Sequence, residues 1–224
     1  MKPEDKIEAV EMVFKGLDEH LSKISDQTGL KCMEHCSLCC RNRSIEATPL
    51  EFYPLAAYLH RTRQIDAFLE KLDSLKGDEL CVLLDTEAQQ NGNWGCTAYP
   101  YRGLICRMFG FGFRLNRTGI PELVTCKTMK TNFPDNVQRA AQLSSNEMDN
   151  LPIFRDYSMQ LWAIDPELAG KPMPINQAIR MAVEKLYSYF AYLDQEDETK
   201  LIQLNPTDDF APPVLSPDGF RPAV

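Results

Sequence analysis

Apolar side chains recur at three- and four-residue steps through the first part of the chain, which is typical of a helix with one buried face. This pattern predicts a helix over residues 4–26. Pro3 and Glu4 suit its start, because proline fixes φ and an acidic side chain is stabilised at the positive end of the helix dipole. Gly29 is a suitable stop. The predicted buried stripe consists of Ile7, Val10, Val13 or Phe14, Leu17, Leu21 and Ile24.

The same periodicity predicts further helices along the chain. One begins at Thr48-Pro49-Leu50-Glu51, where a threonine N-cap, a proline at the first position and a glutamate three residues later form a capping box. A second helical stretch follows over residues 63–76. Residues 175–194 give the clearest apolar stripe of all. The other predicted helices span residues 135–149 and 152–164.

The middle of the chain lacks a helical period. Residues 81–107 predict irregular structure, with a short strand over Cys81–Asp85 and a turn over Asn91–Gly95. Residues 109–126 predict a β-hairpin, because apolar residues alternate with small or charged ones and Asn116–Gly119 supply a turn.

Together these elements predict a mainly α fold with a small β-hairpin and a cysteine-rich, metal-bound centre. We expect a single domain over residues 1–204, with its cysteine core at about residues 32–126 and helices on both flanks. Residues 166–174 are expected to be a connection. Five prolines after residue 205 cannot support a packed helix, so residues 205–224 predict an extended tail.

The charge balance and the apolar runs narrow the class of protein. The 224 residues include 24 Lys and Arg against 32 Asp and Glu, a formal net charge of −8, which argues against a general nucleic-acid binder. No apolar run approaches the roughly 20 residues needed to cross a bilayer, and the start lacks the continuous apolar stretch of a signal peptide. We therefore expect a cytoplasmic protein without a membrane span, whose thiols stay reduced.

Eight cysteines are the densest chemical feature of the chain, and four of them lie within residues 32–40. In a reducing compartment this pattern favours metal ligation, with disulfide or redox chemistry and inert buried thiols as alternatives. The adjacent Cys39 and Cys40 are poorly placed to bridge each other, because Cα atoms about 3.8 Å apart are too close for a normal disulfide. The candidate metal ligands are Cys32, Cys36, Cys39, Cys40, Cys81, Cys96, Cys106 and Cys126.

Thiolates are preferred ligands of zinc, copper(I) and iron–sulfur clusters. Cys36 and Cys39 can reach one ion from a single turn, and Cys96 and Cys106 can return as a second pair. Eight thiols allow two four-ligand sites, one cluster with spare thiols, or one site with a redox pair. Adjacent cysteines point in different directions, so they would serve two metals, or one would ligate while the other packs. His35 is a further candidate ligand.

Positively charged residues stand beside the cysteines or inside the turn that they bracket. Cationic neighbours lower thiol pKa values and favour thiolates, and four thiolates around Zn²⁺ leave a formal net charge of −2. The same residues could equally be ordinary solvated charges. They are Arg41, Arg43, Arg102, Arg107 and Lys127.

The pattern of cysteines resembles the CxxCxxCC family, the YkgJ-type cysteine-cluster proteins described as zinc- or iron-chelating. The resemblance rests on the segments Cys32–Cys40, Cys81–Asp85 and Cys96–Phe109, and it covers about residues 32–126. It implies that the eight cysteines bind metal.

Two positions depart from the family pattern. Gly103 stands where the family usually has proline, and three residues rather than two separate Cys32 from Cys36. Flagellin lysine N-methylases are similar to this family in their cysteine region, but the chain has no recognisable methyl-donor site.

These observations predict a metal-binding cysteine-cluster protein that holds zinc or an iron–sulfur cluster. Zinc in a closed thiolate shell would be structural, whereas an iron–sulfur cluster would allow electron transfer or redox sensing. The alternative is an enzyme of methyltransferase-like or redox type whose cluster supports a substrate site. A third hypothesis is an interaction module, in which the acidic surface and the proline-rich tail recruit a protein partner.

Overall fold

A computed structural model describes residues 1–33, 36–75, 80–87, 95–146 and 150–194. Over these residues the chain is mainly helical, which confirms the predicted fold class. None of the described helices is both long and apolar enough to cross a membrane. The helices are α1 (Pro3–Thr28), α2 (Tyr53–Arg61), α3 (Ile65–Asp73), α4 (Leu104–Met108), α5 (Lys127–Asn132), α6 (Pro134–Asn146), α7 (Phe154–Ile164), α8 (Pro166–Ala169) and α9 (Ile175–Asp194). Short 3₁₀ helices span Cys39–Arg41, Pro49–Phe52 and Tyr99–Tyr101.

Four short strands form two antiparallel pairs. Strands β2 (Phe113–Leu115) and β3 (Pro121–Leu123) make the predicted hairpin, in which Phe113 lies opposite Leu123. Strands β1 (Glu46–Ala47) and β4 (Met173–Pro174) form a second pair that the sequence did not predict. This second pair ties the start of α9 to the segment just after the first four cysteines.

The main hydrophobic core lies between α1, α2, α7 and α9. The predicted stripe of α1 is buried, and Val10 and Leu17 are fully inaccessible to solvent. The predicted stripe of α9 is buried as well, with Ile179 and Leu186 fully inaccessible. Both helices therefore owe their position to one apolar face, as the periodicity predicts.

Glu51 joins two short helices from a fully buried position. Its Oε1 accepts hydrogen bonds from the backbone N–H and the hydroxyl of Thr48, at 2.7 and 2.8 Å, so the predicted capping box is confirmed. Its Oε2 accepts the backbone N–H of Leu104 at 2.6 Å. Burial raises the pKa of Glu51, and these donated hydrogen bonds oppose the rise. The carboxyl group thereby fixes the start of α4, which carries Cys106.

Several predicted boundaries were wrong. The helix predicted over residues 63–76 is shorter than expected, because Arg63 adopts a left-handed φ of 56° after α2 and α3 spans only Ile65–Asp73. The predicted connection at residues 166–174 contains α8 and β4. The helix α5, directly after Cys126, was not predicted.

The predicted strand over Cys81–Asp85 was also wrong. The chain turns there, with the backbone N–H of Leu84 donating to the carbonyl of Cys81 at 2.9 Å, and a turn prevents a continuous extended segment. An isolated antiparallel bridge between Leu84 and Cys96 takes its place. The predicted turn residues 91–94, the candidate ligand His35 and the predicted tail at residues 205–224 lie outside the described residues.

Candidate metal centre

The first four cysteines lie in the loop between α1 and β1. α1 ends at Thr28, where the Arg139 Nε–H donates to the carbonyl of Thr28 at 3.1 Å and holds the end of the helix against α6. Cys39 and Cys40 begin the 3₁₀ turn Cys39–Arg41, and their Sγ atoms are 3.9 Å apart. Cys39 is the exposed member of the cysteine set, while the other seven are half-buried.

Cys81 and Cys96 are brought together by the bridge between Leu84 and Cys96. The backbone N–H of Asp85 donates to the carbonyl of Gly95 at 2.7 Å, and that of Thr97 donates to the carbonyl of Leu83 at 2.8 Å. This bridge places the two thiols on neighbouring segments.

Asn176, in the first turn of α9, anchors the segment that carries Cys81. Its Oδ1 accepts the backbone N–H of Val82 at 2.8 Å, and its Nδ2–H donates to the carbonyl of Leu80 at 3.0 Å. Sequence reasoning missed this residue, because it lies more than ninety positions from its partners and no local signal points to it.

Gly95 lets the first cysteine loop pack directly on the segment of Cys96. A β-carbon at Gly95 would lie 2.4 Å from the Cβ of Ser37, which is closer than side-chain carbons approach each other. Ser37 is itself buried, with 1% of its surface exposed. Contact between the two cysteine-bearing segments therefore depends on the missing side chain at position 95.

We expect Gly95→Ala to lower the free energy of unfolding by about 2 kcal/mol, the usual cost of overpacking a close contact. The substitution should also weaken metal binding, because the loop with Cys36 must move away from Cys96. Gly16→Ala is the matched control: Gly16 lies in α1 with open space around it, so alanine there should add about 0.5–1 kcal/mol. Urea unfolding of both variants measures the contrast, and equal stability of the two would refute the close-contact argument.

Cys106 lies in α4, and the next residue, Arg107, holds this helix against α1. The Arg107 guanidinium is buried and pairs with Asp18 of α1, and it also donates to the carbonyls of Pro100 and Arg102. It lies over the ring of Phe14 at 4.5 Å. Burial lowers the pKa of Arg107, and the charge of Asp18 opposes this. Arg107 is thus a structural cation that binds α4 and the preceding turn to α1.

No side chain fits at Gly103, where the family that this region resembles usually has proline. A β-carbon at this position would lie 2.7 Å from Oε2 of Glu51 and 3.1 Å from Cζ of Phe52. Glu51 needs this close approach to reach the backbone N–H of Leu104. The departure is therefore matched to the buried carboxyl group of Glu51.

Seven of the eight thiols line one small cavity of about 110 Å³ between the first loop and α4. Arg102, Tyr99 and Asp18 border the same cavity. A larger cavity of about 730 Å³ lies beside it, and its lining includes Cys39, Cys40, Cys106 and the remaining thiol, Cys126. The structure thus brings together all eight cysteines that the sequence singled out.

One group of thiols surrounds Cys32. Burial first, and then the charges of Cys36 and Cys39, raise the pKa of Cys32 to about 12, and Cys126 acts in the same direction. Mutual electrostatic effects of this kind require neighbouring thiols. Cys32, whose spacing departs from the family, therefore lies among the other thiols.

A second group surrounds Cys106. Burial first, and then the charges of Cys81 and Cys96, raise the pKa of the Cys106 thiol. The pKa of Cys40 is raised by the hydrogen bond that it donates to Cys39, then by burial, and further by Cys106 and Cys96. That hydrogen bond is the main reason why the pKa of Cys39 falls to about 6. The charge of Cys39 acts on both Cys32 and Cys106.

Backbone N–H groups point at several of these sulfur atoms. The N–H of Met129, in the first turn of α5, donates to Sγ of Cys126 at 3.3 Å. Burial raises the pKa of Cys81 to about 11 and also raises that of Cys96, and the N–H groups of Leu83 and Ala98 oppose these shifts. N–H donors of this kind stabilise thiolates and tune metal–thiolate centres.

The chemistry of this donor set fits a thiophilic metal such as zinc or iron. Within the part of the chain that the structure describes, no three Cys, His, Asp or Glu side chains converge closely enough to hold an ion as they stand. Metal binding would therefore draw the thiols inward across the small cavity. Two of these thiols, Cys39 and Cys40, lie in a short 3₁₀ turn and not in a long helix or strand.

Residues 31–136 match the model of the CxxCxxCC family, whose description is "Putative zinc- or iron-chelating domain". The match covers slightly less than half of the 224 residues, and all eight cysteines lie within it. It confirms the family resemblance seen in the sequence. No match was found among curated proteins or among solved structures.

Proposed function

Because residues 31–136 match the CxxCxxCC domain, we propose that this chain is a cytoplasmic metal-binding protein whose thiolates hold zinc or an iron–sulfur cluster. The observation that carries the proposal is the small cavity lined by seven thiols. A cavity of about 110 Å³ has room for a metal centre, but it is smaller than the roughly 300 Å³ at which sites for drug-sized molecules begin.

The eight thiols divide into two sets of four ligands in this proposal. The neighbouring thiols that raise the pKa of Cys32 and of Cys106 support one set around each of these two residues. Cys39 is assigned to the first set because its charge acts on Cys32, and Cys40 to the second because Cys106 and Cys96 act on it. The two sets would meet at this adjacent pair, whose Sγ atoms lie 3.9 Å apart. The first set is Cys32, Cys36, Cys39 and Cys126, and the second is Cys40, Cys81, Cys96 and Cys106.

The bound metal decides what the centre does. Four thiolates around zinc leave no open position, so such a centre would stabilise the fold. An iron–sulfur cluster would supply electron transfer or redox sensing, with its potential set by N–H donors such as those of Met129 and Ala98.

Anaerobic purification followed by visible absorption and metal analysis tests the proposal. Broad absorption near 400 nm with matching iron and sulfide indicates an iron–sulfur cluster. A colourless protein with stoichiometric zinc indicates a structural thiolate site. A protein that carries neither metal, and takes up none on anaerobic reconstitution, refutes metal binding altogether.

The larger cavity favours a second candidate function, an enzyme whose metal centre adjoins a substrate site. Its volume of about 730 Å³ is that of small-molecule sites, and its lining includes Cys39, Cys40, Cys106 and Cys126. Its described lining contains no lysine, arginine or histidine, which disfavours anionic substrates. Binding of uncharged small-molecule fragments should raise the melting temperature of the wild type. It should not raise that of Ser158→Trp, because tryptophan narrows the cavity. Fragments that shift both melting temperatures equally would contradict this function.

A further inference from the structure

The cations that lie near cysteines in the sequence have different surroundings in the structure. Arg41, Arg43 and Lys127 are exposed. The buried guanidinium of Arg107 is satisfied by Asp18 and by two backbone carbonyls. Arg102 remains, and it borders the small cavity together with the thiols.

Arg102 has a buried N–H donor that no described protein group accepts. Its guanidinium stacks over the ring of Tyr99, with Cζ 3.7 Å from the ring centroid. Its Nε–H is buried and has no hydrogen-bond partner, and among the described residues no carboxylate forms an ion pair with it. Asp18, the carboxylate that borders the same cavity, is engaged by Arg107.

Leaving a buried N–H of a charged group without an acceptor costs free energy. We therefore expect an acceptor beside the Nε–H of Arg102. The space beside Arg102 is the cavity lined by thiols. A metal ion held by four thiolates carries a net negative charge and presents sulfur atoms that accept hydrogen bonds. Such a centre would supply both the missing counter-charge and the missing acceptor.

We infer that Arg102 is the counter-ion of the metal centre, holding its positive charge and its Nε–H donor against the anionic metal–thiolate group in the small cavity. This inference rests on the proposed metal-binding function. The stack on Tyr99 fixes the orientation of the guanidinium plane. Arg102 is therefore a positioning and charge-balancing residue, and it does not itself ligate the metal.

The charge of Arg102 already acts on the neighbouring thiols. Burial raises the pKa of Cys96, and the N–H of Ala98 and the charge of Arg102 oppose that rise. The pKa of Cys39 is lowered first by its hydrogen bond from Cys40, and Arg102 acts in the same direction.

Chelator competition on anaerobically metal-loaded protein tests the inference. We expect Arg102→Gln to weaken metal binding by about 10- to 100-fold, the usual effect of removing a group that supports metal ligands from outside the coordination shell. Arg114→Gln is the matched control, because it removes the same charge from an exposed position on the hairpin, and it should bind metal like the wild type.

Arg102→Lys separates charge from packing. Lysine restores a cation with N–H donors but not the flat stack on Tyr99, so we expect it to recover most of the lost affinity. Wild-type affinity in Arg102→Gln, or equally weak binding in Arg102→Lys and Arg102→Gln, would overturn the inference while leaving metal binding intact. Absence of metal from the wild type would instead refute the proposed function itself.

Discussion

Cys106→Ser is expected to remove one metal centre and leave the other in place. Cys106 lies deep in the thiol group that contains Cys81 and Cys96, and burial raises its pKa strongly. Serine is a poor ligand for a thiophilic metal, so a four-thiolate set cannot be completed without this sulfur. Metal analysis of the purified variant should therefore show half of the wild-type content.

Cys36→Ser is the matched companion of this variant, because Cys36 belongs to the group around Cys32. It should also lose half of the metal, and the double variant should lose all of it. Loss of all metal in each single variant would show that the thiols hold one shared centre, and the division into two sets would then be wrong.

Both single variants should also be less stable than the wild type. A ligand that binds only the folded state stabilises it by about 4 kcal/mol when its free concentration is a thousand times its Kd. The melting temperature should fall to that of the chelator-treated wild type once both centres are lost. A variant that lost its metal without any fall in melting temperature would exclude a stabilising role for that centre.

Arg107→Gln is expected to lower the free energy of unfolding by about 3 kcal/mol, because hydrogen bonds to a buried charged group are worth about 1.5–3 kcal/mol and two backbone carbonyls lose their donor. The side chain of Arg107 is only 7% exposed, so water cannot replace the guanidinium. The ion pair itself contributes less, since the Asp18 side chain is 42% exposed and its charge is largely screened. Urea unfolding of chelator-treated protein measures the loss without the contribution of metal.

Two variants check the role assigned to these hydrogen bonds. Arg114→Gln removes the same charge from the surface and should change stability by less than about 0.5 kcal/mol. Asp18→Asn removes the ion pair but keeps the hydrogen bonds from Arg107 to the carbonyls of Pro100 and Arg102, so it should cost less than Arg107→Gln. An equal loss in Asp18→Asn would show that the ion pair, not the carbonyl contacts, fixes α4.

The long helices could be predicted because their periodicity directly records which face is buried. In α1 and α9 the apolar stripes coincide with buried residues, since one continuous core covers each helix. Thr48 and Glu51 could be predicted as a capping box for a similar reason, because all of its hydrogen bonds are local.

Contacts between distant segments could not be predicted in this way. The pairing of Ala47 with Met173, and the contacts of Asn176 with the segment of Cys81, join parts of the chain that have no local signal for each other. The sequence likewise left open whether the cations near the cysteines lower thiol pKa values or are ordinary solvated charges. Asp18 and the carbonyls of Pro100 and Arg102 engage the guanidinium of Arg107, whereas the Nε–H of Arg102 has no acceptor.

The close spacing of the first four cysteines could predict that thiols lie near one another, and seven of the eight cysteines line one small cavity. Their division could not, because adjacent Cys39 and Cys40 give no indication of which side each one joins. That depends on the bridge that places Cys96 and on the helix that carries Cys106.

The packing of α9 against the N-terminal half has a consequence for synthesis of the chain. Leu186 and Phe190 complete the core that supports α2, so the ribosome must deliver nearly the whole described chain before this core can close. At 5–20 residues per second, the first four thiols would wait roughly 7–30 s after their own synthesis. During that time they are open to oxidation and to unsuitable metals, so we expect stable metal insertion to follow translation rather than accompany it.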